Sequence, residues 1–512
     1  LHTRRRRQRQ MCIRDSYRPA YGANNQVTLR QMQMTNRHMK GISSVMKPLS
    51  ATDNLFLMLE KRQQPTHIAG LQLFDFPEDA PNNFVTQFAE ALRAYNQPVA
   101  PFNQRLHYRF GRPYWKHDGQ FDLEHHFRHV ALPKPGRIRE LLALVSAEHS
   151  NLMDRERPLW ECCLIEGLKG RRFAVYGKQH HAIMDGMSAM RLGTKMLSND
   201  PAERDMAPVW AFDLQSRSNH RITNRFDATT VIASARAGIR ANLAAIPHVA
   251  RALQDSWYKS KTDVDYTSIF QAPQCVLNER ITGSRRFAAE SYSLARIQRI
   301  AKAFDATIND VVLAICGSAL RDYLSEQSAL PQQPLIAAIP VSLRQDDSIG
   351  GNEIVTILAN LGTHVADAAQ RMSIVKASVQ EAKQRLGSMT RQEIMAYTAL
   401  MLTPAGMQML TGMMPRWQAF NVLISNVPGP KEPLYWNGAR LRGMYPVSMP
   451  LDRLALNITI LSYYDQLEFG LTACRRTLPS MQRMLAHLET GIEGLEAAAG
   501  LNSLRRNERQ LA

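Results

Sequence analysis

Two adjacent histidines are the residues of this chain best suited to proton-transfer chemistry. His180 and His181 open the run HHAIMDG at residues 180–186, directly after an apolar, strand-like stretch over 172–178. Neutral imidazole has a pKa of about 6.5 and can accept a proton at cellular pH. A histidine at the end of a strand can project into a cleft and remove the proton of an alcohol. If the acyl group under attack is already activated, as a thioester is, no serine or cysteine nucleophile is required.

Two alternatives compete with this interpretation of the pair, and a second histidine pair serves as an internal control. A lone histidine is more often a surface residue or a hydrogen-bonded core residue than a chemical group. A second pair, His125 and His126, is followed by Val and Ala where the first pair has Asp and Gly, so we interpret it as structural. A zinc site would need a further His or carboxylate at suitable geometry, and apolar residues surround the first pair, so no metal is predicted.

Length and charge divide the chain into regions. With 512 residues it is too long for one ordinary core, and two domains are expected. Residues 1–45 contain ten Arg or Lys and one acid, so they carry +9 of the net charge of +18. This tail could bind nucleic acid or an anionic membrane. No continuous apolar stretch follows its charges, and we predict disordered or spurious sequence that is neither a signal peptide nor a nucleic-acid site.

Cysteine spacing and hydropathy bear on location. The six cysteines form no C-x-x-C pair, which disfavours a zinc ribbon or a thioredoxin-like site. Without a signal peptide, a reducing cytoplasm is expected. The segment 394–415 is uncharged, but Pro404, Gly406 and Gly412 make it a poor transmembrane helix. Its six methionines fit short helices that touch lipid or line an acyl channel, and equally fit ordinary core.

Hydrophobic periodicity predicts an α/β fold in two lobes. The predicted strands cover residues 67–76, 121–132, 160–168, 172–178, 335–343, 420–426, 455–462 and 466–473. The predicted helices cover residues 47–62, 84–95, 138–150, 307–326 and 478–498, and a further helix follows the double histidine with Met187, Met190 and Met196 near its start and middle. We predict an N-terminal lobe over 46–200, a helical linker over 201–270, and a C-terminal lobe over 271–505.

The chain resembles a known family, the bacterial wax ester synthase/diacylglycerol acyltransferases of the CoA-dependent acyltransferase superfamily. The H-H-x-x-x-D-G run at 180–186 carries the superfamily resemblance. The narrower resemblance rests on blocks in the family's order, covering roughly residues 46–500. They are PLS at 48–50 with Asp53, KRQQPTHI at 61–68, DRERPLWE at 154–161, residues 278–288, Asn309-Asp310 and SNVPGP at 425–430.

The resemblance implies roles for the motif residues. It implies two chloramphenicol-acetyltransferase-like lobes with a tunnel between them. His181 would be the catalytic base, and His180 and Asp185 would support it, with Asp185 turned toward an arginine that holds the loop. Gly186 would permit close backbone approach. The family usually has Met where this chain has Thr66, a departure expected to affect packing and not chemistry.

The resemblance also implies roles outside the motif. Pro158, Leu159 and Trp160 would pack at the tunnel. Asn309 and Asp310 would approach the site from the second lobe, where Asn309 either donates a hydrogen bond to oxyanion charge or belongs to a helix N-terminus. The same two alternatives, a catalytic-side donor or a plain strand end, stand for the pair Ser425 and Asn426.

The implied reaction moves a long-chain acyl group from acyl-CoA to a fatty alcohol or diacylglycerol. Acyl-CoA is a substrate, so no cofactor is expected. The implied location is cytoplasmic, in peripheral contact with the inner membrane or lipid inclusions. Two alternatives remain open. One is a free-standing condensation-type acyltransferase, and the other is a non-catalytic coat protein of lipid droplets or membranes.

Overall fold

The computed structural model describes residues 46–212, 267–269, 271–342, 354–390, 393–394, 397–398, 401 and 418–501. Its strands, in chain order, are β1 (Lys47–Pro48), β2 (His67–Asp75), β3 (Gln104–Arg109), β4 (Arg112–His117), β5 (Phe127–Ala131), β6 (Trp160–Leu168), β7 (Arg172–His180), β8 (Arg285–Ser293), β9 (Ile336–Ser342), β10 (Ile354–Asn360), β11 (Val422–Val427), β12 (Tyr435–Trp436), β13 (Ala439–Val447), β14 (Leu456–Tyr463) and β15 (Gln466–Cys474). The α-helices are α1 (Ala51–Leu59), α2 (Phe84–Arg93), α3 (Ile138–Glu148), α4 (Gly186–Lys195), α5 (Leu294–Ala303), α6 (Ile308–Glu326), α7 (Ala368–Ser388) and α8 (Met484–Ala498).

The first large sheet has the strand order β12-β13-β2-β7-β6-β5. Strand β7 runs antiparallel to β2, with His180 opposite His67, so the double histidine leaves the sheet at the edge where β2 begins. Strand β13 pairs with the other side of β2, placing Val447 opposite Ala69. The second half of the chain therefore supplies two strands to the sheet that bears the histidine motif.

The second large sheet has the order β10-β9-β11-β14-β15-β8. Its largest apolar cluster includes buried residues of α5, α6, α7 and α8 together with strand residues. Helix α6 begins with a reciprocal cap, in which Thr307 Oγ1 accepts the Asp310 N–H and the Asp310 carboxylate accepts the Thr307 N–H. The α/β fold with two sheet-bearing lobes is confirmed.

Local patterns located most of these elements within a few residues. The expected single strand over 121–132 is instead a 3₁₀ turn at Leu123–His125 followed by β5. The hairpin β3–β4, the strands β1, β8, β10, β12 and β13, and the helices α5 and α7 were not predicted, and β1 occupies the start of the expected helix 47–62. The basic tail 1–45, most of the linker 201–270 and most of the methionine-rich segment 394–415 lie outside the described residues.

A helix that crosses a membrane must be both long and apolar. Among the described residues, no single helix is both long and apolar enough to cross one. Helices α5 and α6 meet the criterion together, but they bend by 99° at the break between them.

Candidate active site

The double histidine lies on a turn that hydrogen bonds fasten to the first sheet. Strand β7 ends at His180, and helix α4 begins at Gly186. The His181 backbone N–H donates to the Thr66 carbonyl over 3.0 Å, and the Ile183 N–H donates to the His180 carbonyl over 2.9 Å. The turn is therefore anchored to the residue just before β2 as well as to its own strand.

His180 is fully buried and uses both ring nitrogens within the protein. Its Nδ1 accepts the Ala182 backbone N–H over 3.0 Å, so this nitrogen carries no proton. Its Nε2 lies 2.9 Å from Thr66 Oγ1, whose own hydroxyl proton donates to the Phe56 carbonyl. Thr66 Oγ1 therefore accepts the Nε2–H, and the ring is held as a neutral tautomer that cannot serve a substrate.

A partly buried ion pair, with the Glu60 carboxylate on its buried side, continues this network behind the turn. Glu60 Oε1 lies 3.5 Å from His180 Nε2, and Glu60 Oε2 lies 2.9 Å from an Arg155 guanidinium nitrogen. Burial alone would raise the pKa of Glu60, but its hydrogen bonds with the His180 and Arg155 side chains and the charge of Arg155 together lower it. Arg155 also donates to the Leu57 carbonyl over 2.7 Å, which ties helix α1 to the same cluster.

His181 presents the opposite arrangement. Its ring stacks on Phe56, with ring centres 3.9 Å apart and planes inclined by 21°. Its Nδ1 is buried with no hydrogen-bond partner among the described residues. Burial lowers the pKa of His181, while its own backbone carbonyl and the Asp185 carboxylate oppose that effect. The ring is therefore neutral at cellular pH.

Two cavities meet at His181. The larger has a volume of about 1140 Å³ and is lined by both large sheets, including Gln179 of β7 and Asn426 of β11. The smaller, about 400 Å³, is lined by Asp53 and Phe56 of α1 and by residues of the turn. His181, Asp185 and Ser188 line both. A molecule entering from either side can reach the same imidazole.

Asp185 and Gly186 shape the start of helix α4. Asp185 is the N-cap residue, and its Oδ1 accepts the Ser188 N–H over 2.7 Å. Within the described residues its carboxylate forms no ion pair with an arginine, unlike the pairing that the resemblance implied. A Cβ built on Gly186 would meet only Ile68 Cδ1, at 3.9 Å, so the backbone there has room for a methyl group.

The block Pro158-Leu159-Trp160 is buried beside the motif. Leu159 packs against Ala182, and its carbonyl accepts the His180 N–H over 3.0 Å. Trp160 lines the larger cavity and donates its Nε1–H to the Phe102 carbonyl over 2.8 Å. Of the three, only Trp160 is in the described lining of a cavity, and Pro158 and Leu159 are buried behind it.

The residues expected from the second lobe divide into two groups. Ser425 and Asn426 lie on β11 and line the larger cavity with His181. Asn309 and Asp310 are absent from the described lining of both cavities and lie in the first turn of α6. The Asp310 carboxylate is engaged in the helix cap. The helix N-terminus, one of the two alternatives raised for Asn309, is therefore its observed position.

The second double histidine lies outside the described lining of both cavities, and the described residues form no metal site. His126 is buried, its Nδ1 bonds the Trp160 carbonyl over 2.8 Å, and neither His125 nor His126 lines either cavity among the described residues. Among described side chains, no group of three His, Cys, Asp or Glu residues is placed to hold a metal ion.

Sequence reasoning assigned no site role to three residues that contact the motif, Phe56, Glu60 and Thr66, nor to Arg155, which pairs with Glu60. Glu60, Thr66 and Arg155 form the network behind His180, and Phe56 stacks on His181. Thr66 was noticed only as a departure from the family, with an effect on packing. The structure shows instead that its hydroxyl and its carbonyl bond the two histidines of the motif. The register of β2 against β7 carries this information, and it is not readable from either strand alone.

The chain is similar to known acyltransferases along most of its length. The wax ester synthase/diacylglycerol acyltransferase catalytic-domain model matches residues 49–312, and the model of the C-terminal domain of that family matches residues 350–496. O-acyltransferase WSD of Acinetobacter baylyi is 50% identical over 453 residues, covering 88% of this chain and 97% of the relative. A Mycobacterium tuberculosis protein named as a diacylglycerol O-acyltransferase is 42% identical over 458 residues, covering 88% of this chain and 100% of the relative.

One solved structure agrees with this family, and a more distant one shares only the fold. The wax ester synthase/diacylglycerol acyltransferase from Marinobacter aquaeolei VT8 is 52% identical with a TM-score of 0.74, covering 89% of this chain and 100% of that one. The first condensation domain of the calcium-dependent antibiotic synthetase shares the fold at 16% identity, with a TM-score of 0.53 and coverage of 89% and 97%.

Proposed function

Because the chain belongs to the wax ester synthase/diacylglycerol acyltransferase family and is an acyltransferase, we propose that His181 is the general base of its acyl transfer. The observation that carries this proposal is the meeting of two cavities at the His181 imidazole. A general base must reach the acceptor hydroxyl while that oxygen reaches the acyl carbon, and of the motif pair only His181 lines the described cavities.

The reaction proposed is a direct transfer within a ternary complex. Since Nδ1 of His181 is buried, Nε2 is the nitrogen that meets the acceptor hydroxyl. Nε2 removes the hydroxyl proton while the oxygen attacks the thioester carbon, giving a tetrahedral oxyanion. The oxyanion collapses to the ester, the C–S bond breaks, and the CoA thiolate receives the proton from His181. Ester and CoA are the two products.

Other residues assist without touching the transferred proton. His180 and Glu60 hold the turn, and the Asp185 carboxylate favours the imidazolium that forms during transfer. Ser425 and Asn426 face the same cavity from β11 and are the side chains of the second sheet that we propose as hydrogen-bond donors to the oxyanion.

The substrates proposed are a long-chain acyl-CoA and a fatty alcohol or diacylglycerol, giving a wax ester or triacylglycerol. The names of the relatives and the size of the larger cavity, about 1140 Å³, support this choice. We further propose that the protein acts in the cytoplasm, in peripheral contact with the inner membrane or lipid inclusions, because its acceptors are lipids. No cofactor or nucleic acid takes part in the proposed reaction.

The experiment is CoA release by the purified full-length chain from palmitoyl-CoA, with hexadecanol, dioleoylglycerol or no acceptor. Acceptor-dependent release is expected, and His181→Ala should lower it by about a thousandfold. His125→Ala, at the exposed member of the look-alike pair, is the matched control and should retain the rate. Lipid binding without CoA release would favour the coat-protein alternative. Retention of most activity in His181→Ala would remove His181 from the mechanism.

A further inference from the structure

The hairpin β3–β4 combines basic and aromatic residues at an exposed tip. Residues 104–117 contain four Arg or Lys, four Tyr, Phe or Trp, and no Asp or Glu. Phe110 at the tip is 93% exposed, and Tyr108 is 55% exposed. The Arg109 guanidinium carbon lies 5.5 Å from the centre of the Phe110 ring. A 93% exposed phenyl ring beside a guanidinium group fits a lipid–water interface, where aromatic side chains and cations lie side by side.

The charges of this hairpin are largely available to a ligand. Arg105 is paired with Asp118 and Glu156. Among the described residues, no acid lies within ion-pair distance of Arg109, Arg112 or Lys116. The tip therefore presents uncompensated positive charge next to apolar surface, which favours an anionic partner.

Helix α1 extends the apolar surface. Leu55 is 45% exposed and Met58 is 62% exposed, one turn apart on one side of the helix. On the inner side, Leu57 is buried in a cluster with Leu106 and Trp115 of the hairpin. Helix and hairpin are thus one packed unit, with apolar side chains on its outside.

The same helix borders the proposed active site. Asp53 and Phe56 line the smaller cavity together with His181. In an α-helix, residues 53 and 56 lie on a different side from residues 55 and 58. Helix α1 therefore separates the catalytic cavity from the exposed Leu55 and Met58.

We propose that Leu55, Met58, Tyr108, Arg109, Phe110 and Arg112, the α1–hairpin surface, dock the protein on an anionic lipid bilayer. Phe110 and Met58 enter the apolar layer, and Arg109 and Arg112 meet the phosphates of the headgroups. The proposal rests on the proposed function in one respect, because lipid substrates would then have a short path from the bilayer around α1 to the cavity. Nucleic acids are bound mainly by cations and stacking aromatic side chains. The exposed aliphatic side chains of this surface therefore favour a lipid partner.

The chain offers a matched pair of variants for the test. Phe110 has φ 50° and Tyr464, an exposed aromatic in the turn between β14 and β15, has φ 51°. Asn tolerates this left-handed backbone better than an aromatic residue, so Phe110→Asn and Tyr464→Asn should both fold. Binding of the full-length chain to phosphatidylglycerol–phosphatidylcholine vesicles is measured by co-sedimentation. Salt of about 0.3 M limits the contribution of the basic tail 1–45 through screening.

Phe110→Asn should bind these vesicles about tenfold more weakly than the unaltered chain, because one buried aromatic side chain is lost. Arg109→Gln should weaken binding about twofold, because salt screens much of the attraction between arginine and phosphate. Tyr464→Asn and His181→Ala should bind like the unaltered chain. Equal binding by Phe110→Asn, or no vesicle binding by the unaltered chain, would overturn the proposal. The proposal would also be overturned if a single-stranded oligonucleotide displaced the vesicles and Phe110→Asn bound that oligonucleotide more weakly.

The two proposals fail separately. If the unaltered chain releases no CoA while Phe110→Asn still loses vesicle binding, the surface stands and the proposed function fails. If CoA release depends on His181 while Phe110→Asn binds vesicles normally, the function stands and the docking surface is wrong.

Discussion

The two double histidines of this chain share a sequence pattern but differ in what their second ring faces. His126 is sandwiched between Phe121 and Trp160, with ring centres 4.9 and 4.8 Å away, and its Nδ1 bonds a backbone carbonyl. His181 has one stacking partner, Phe56, and its ring borders two cavities. Burial lowers the pKa of both histidines. A neutral imidazole is therefore present at both places, and access to a cavity is what separates a candidate base from a structural residue.

The largest structural effect is expected from His180→Ala. The change leaves the Ala182 N–H without its acceptor, removes one of the partners of Glu60 and of Thr66, and opens a cavity. The free energy of unfolding should therefore fall by about 3 kcal/mol. Looser placement of His181 should also lower the rate of CoA release about a hundredfold. Denaturant unfolding and turnover measure the two effects. His180→Asn, which keeps an acceptor for the Ala182 N–H, should recover part of both, and equal losses in the two variants would show that the hydrogen bond is unimportant.

Acid should act differently on the two pairs. Protonated His181 cannot accept a proton, so kcat/KM should be constant at high pH and fall about tenfold per unit below the pKa of His181, which lies under 6.5. Asp185→Asn removes a charge that raises this pKa and should move the fall to lower pH. A pH–rate profile measures both, and a shift toward higher pH would contradict the assigned electrostatics.

The lowered pKa of His126 should appear in stability and not in rate. The unfolded chain takes up a proton at this histidine near pH 6.5, before the folded chain does. The stability linked to His126 is therefore fully present above pH 6.5 and is lost as the pH falls toward its folded pKa. His126→Ala should cost about 2 kcal/mol through lost stacking and one lost hydrogen bond. The rate of CoA release per folded molecule of His126→Ala should stay within a fewfold of the normal rate. A large loss of this rate would show that His126 is not purely structural.

Thr66→Val should have the smallest effect. The substitution keeps the shape but removes the hydroxyl between His180 and the Phe56 carbonyl, at a cost of about 1 kcal/mol. Glu60 Oε1, at 3.5 Å, remains near His180 Nε2, so the rate should fall only a fewfold. Thr66→Ser keeps the hydroxyl and serves as the control. If Val and Ser behaved alike in unfolding and turnover, the hydroxyl would contribute nothing to the turn.

Local sequence predicted the half of the site that is contiguous in the chain. The strand pattern before residue 180 and the run at 180–186 predicted that His181 follows the end of a strand. The spacing of apolar residues over 307–326 predicted helix α6. The partners of His180 could not be predicted in this way, because they depend on the pairing of β2 with β7. The addition of β13 to the first sheet joins residues about 370 positions apart, and no short-range periodicity records such a pairing.

The Asn309 and Asp310 expectation shows the opposite limit. A block shared with a family indicates that a position matters, but not whether it faces the substrate. Asp310 is explained by the cap it makes with Thr307, a local pattern that the sequence already contained. Ser425 and Asn426, from a comparable block, do reach the cavity. The difference lies in where β11 and α6 sit in the second lobe, which is a property of the folded chain.

Chemical rescue of His181→Ala tests the central claim most directly. Removing the ring leaves space where the two cavities meet, so added imidazoles can occupy the position of the lost base. We predict that CoA release by His181→Ala rises with imidazole concentration, and rises further with more basic imidazoles, while His180→Ala shows no rescue. Absence of rescue in His181→Ala, or equal rescue of both variants, would contradict the assignment of His181 as the base.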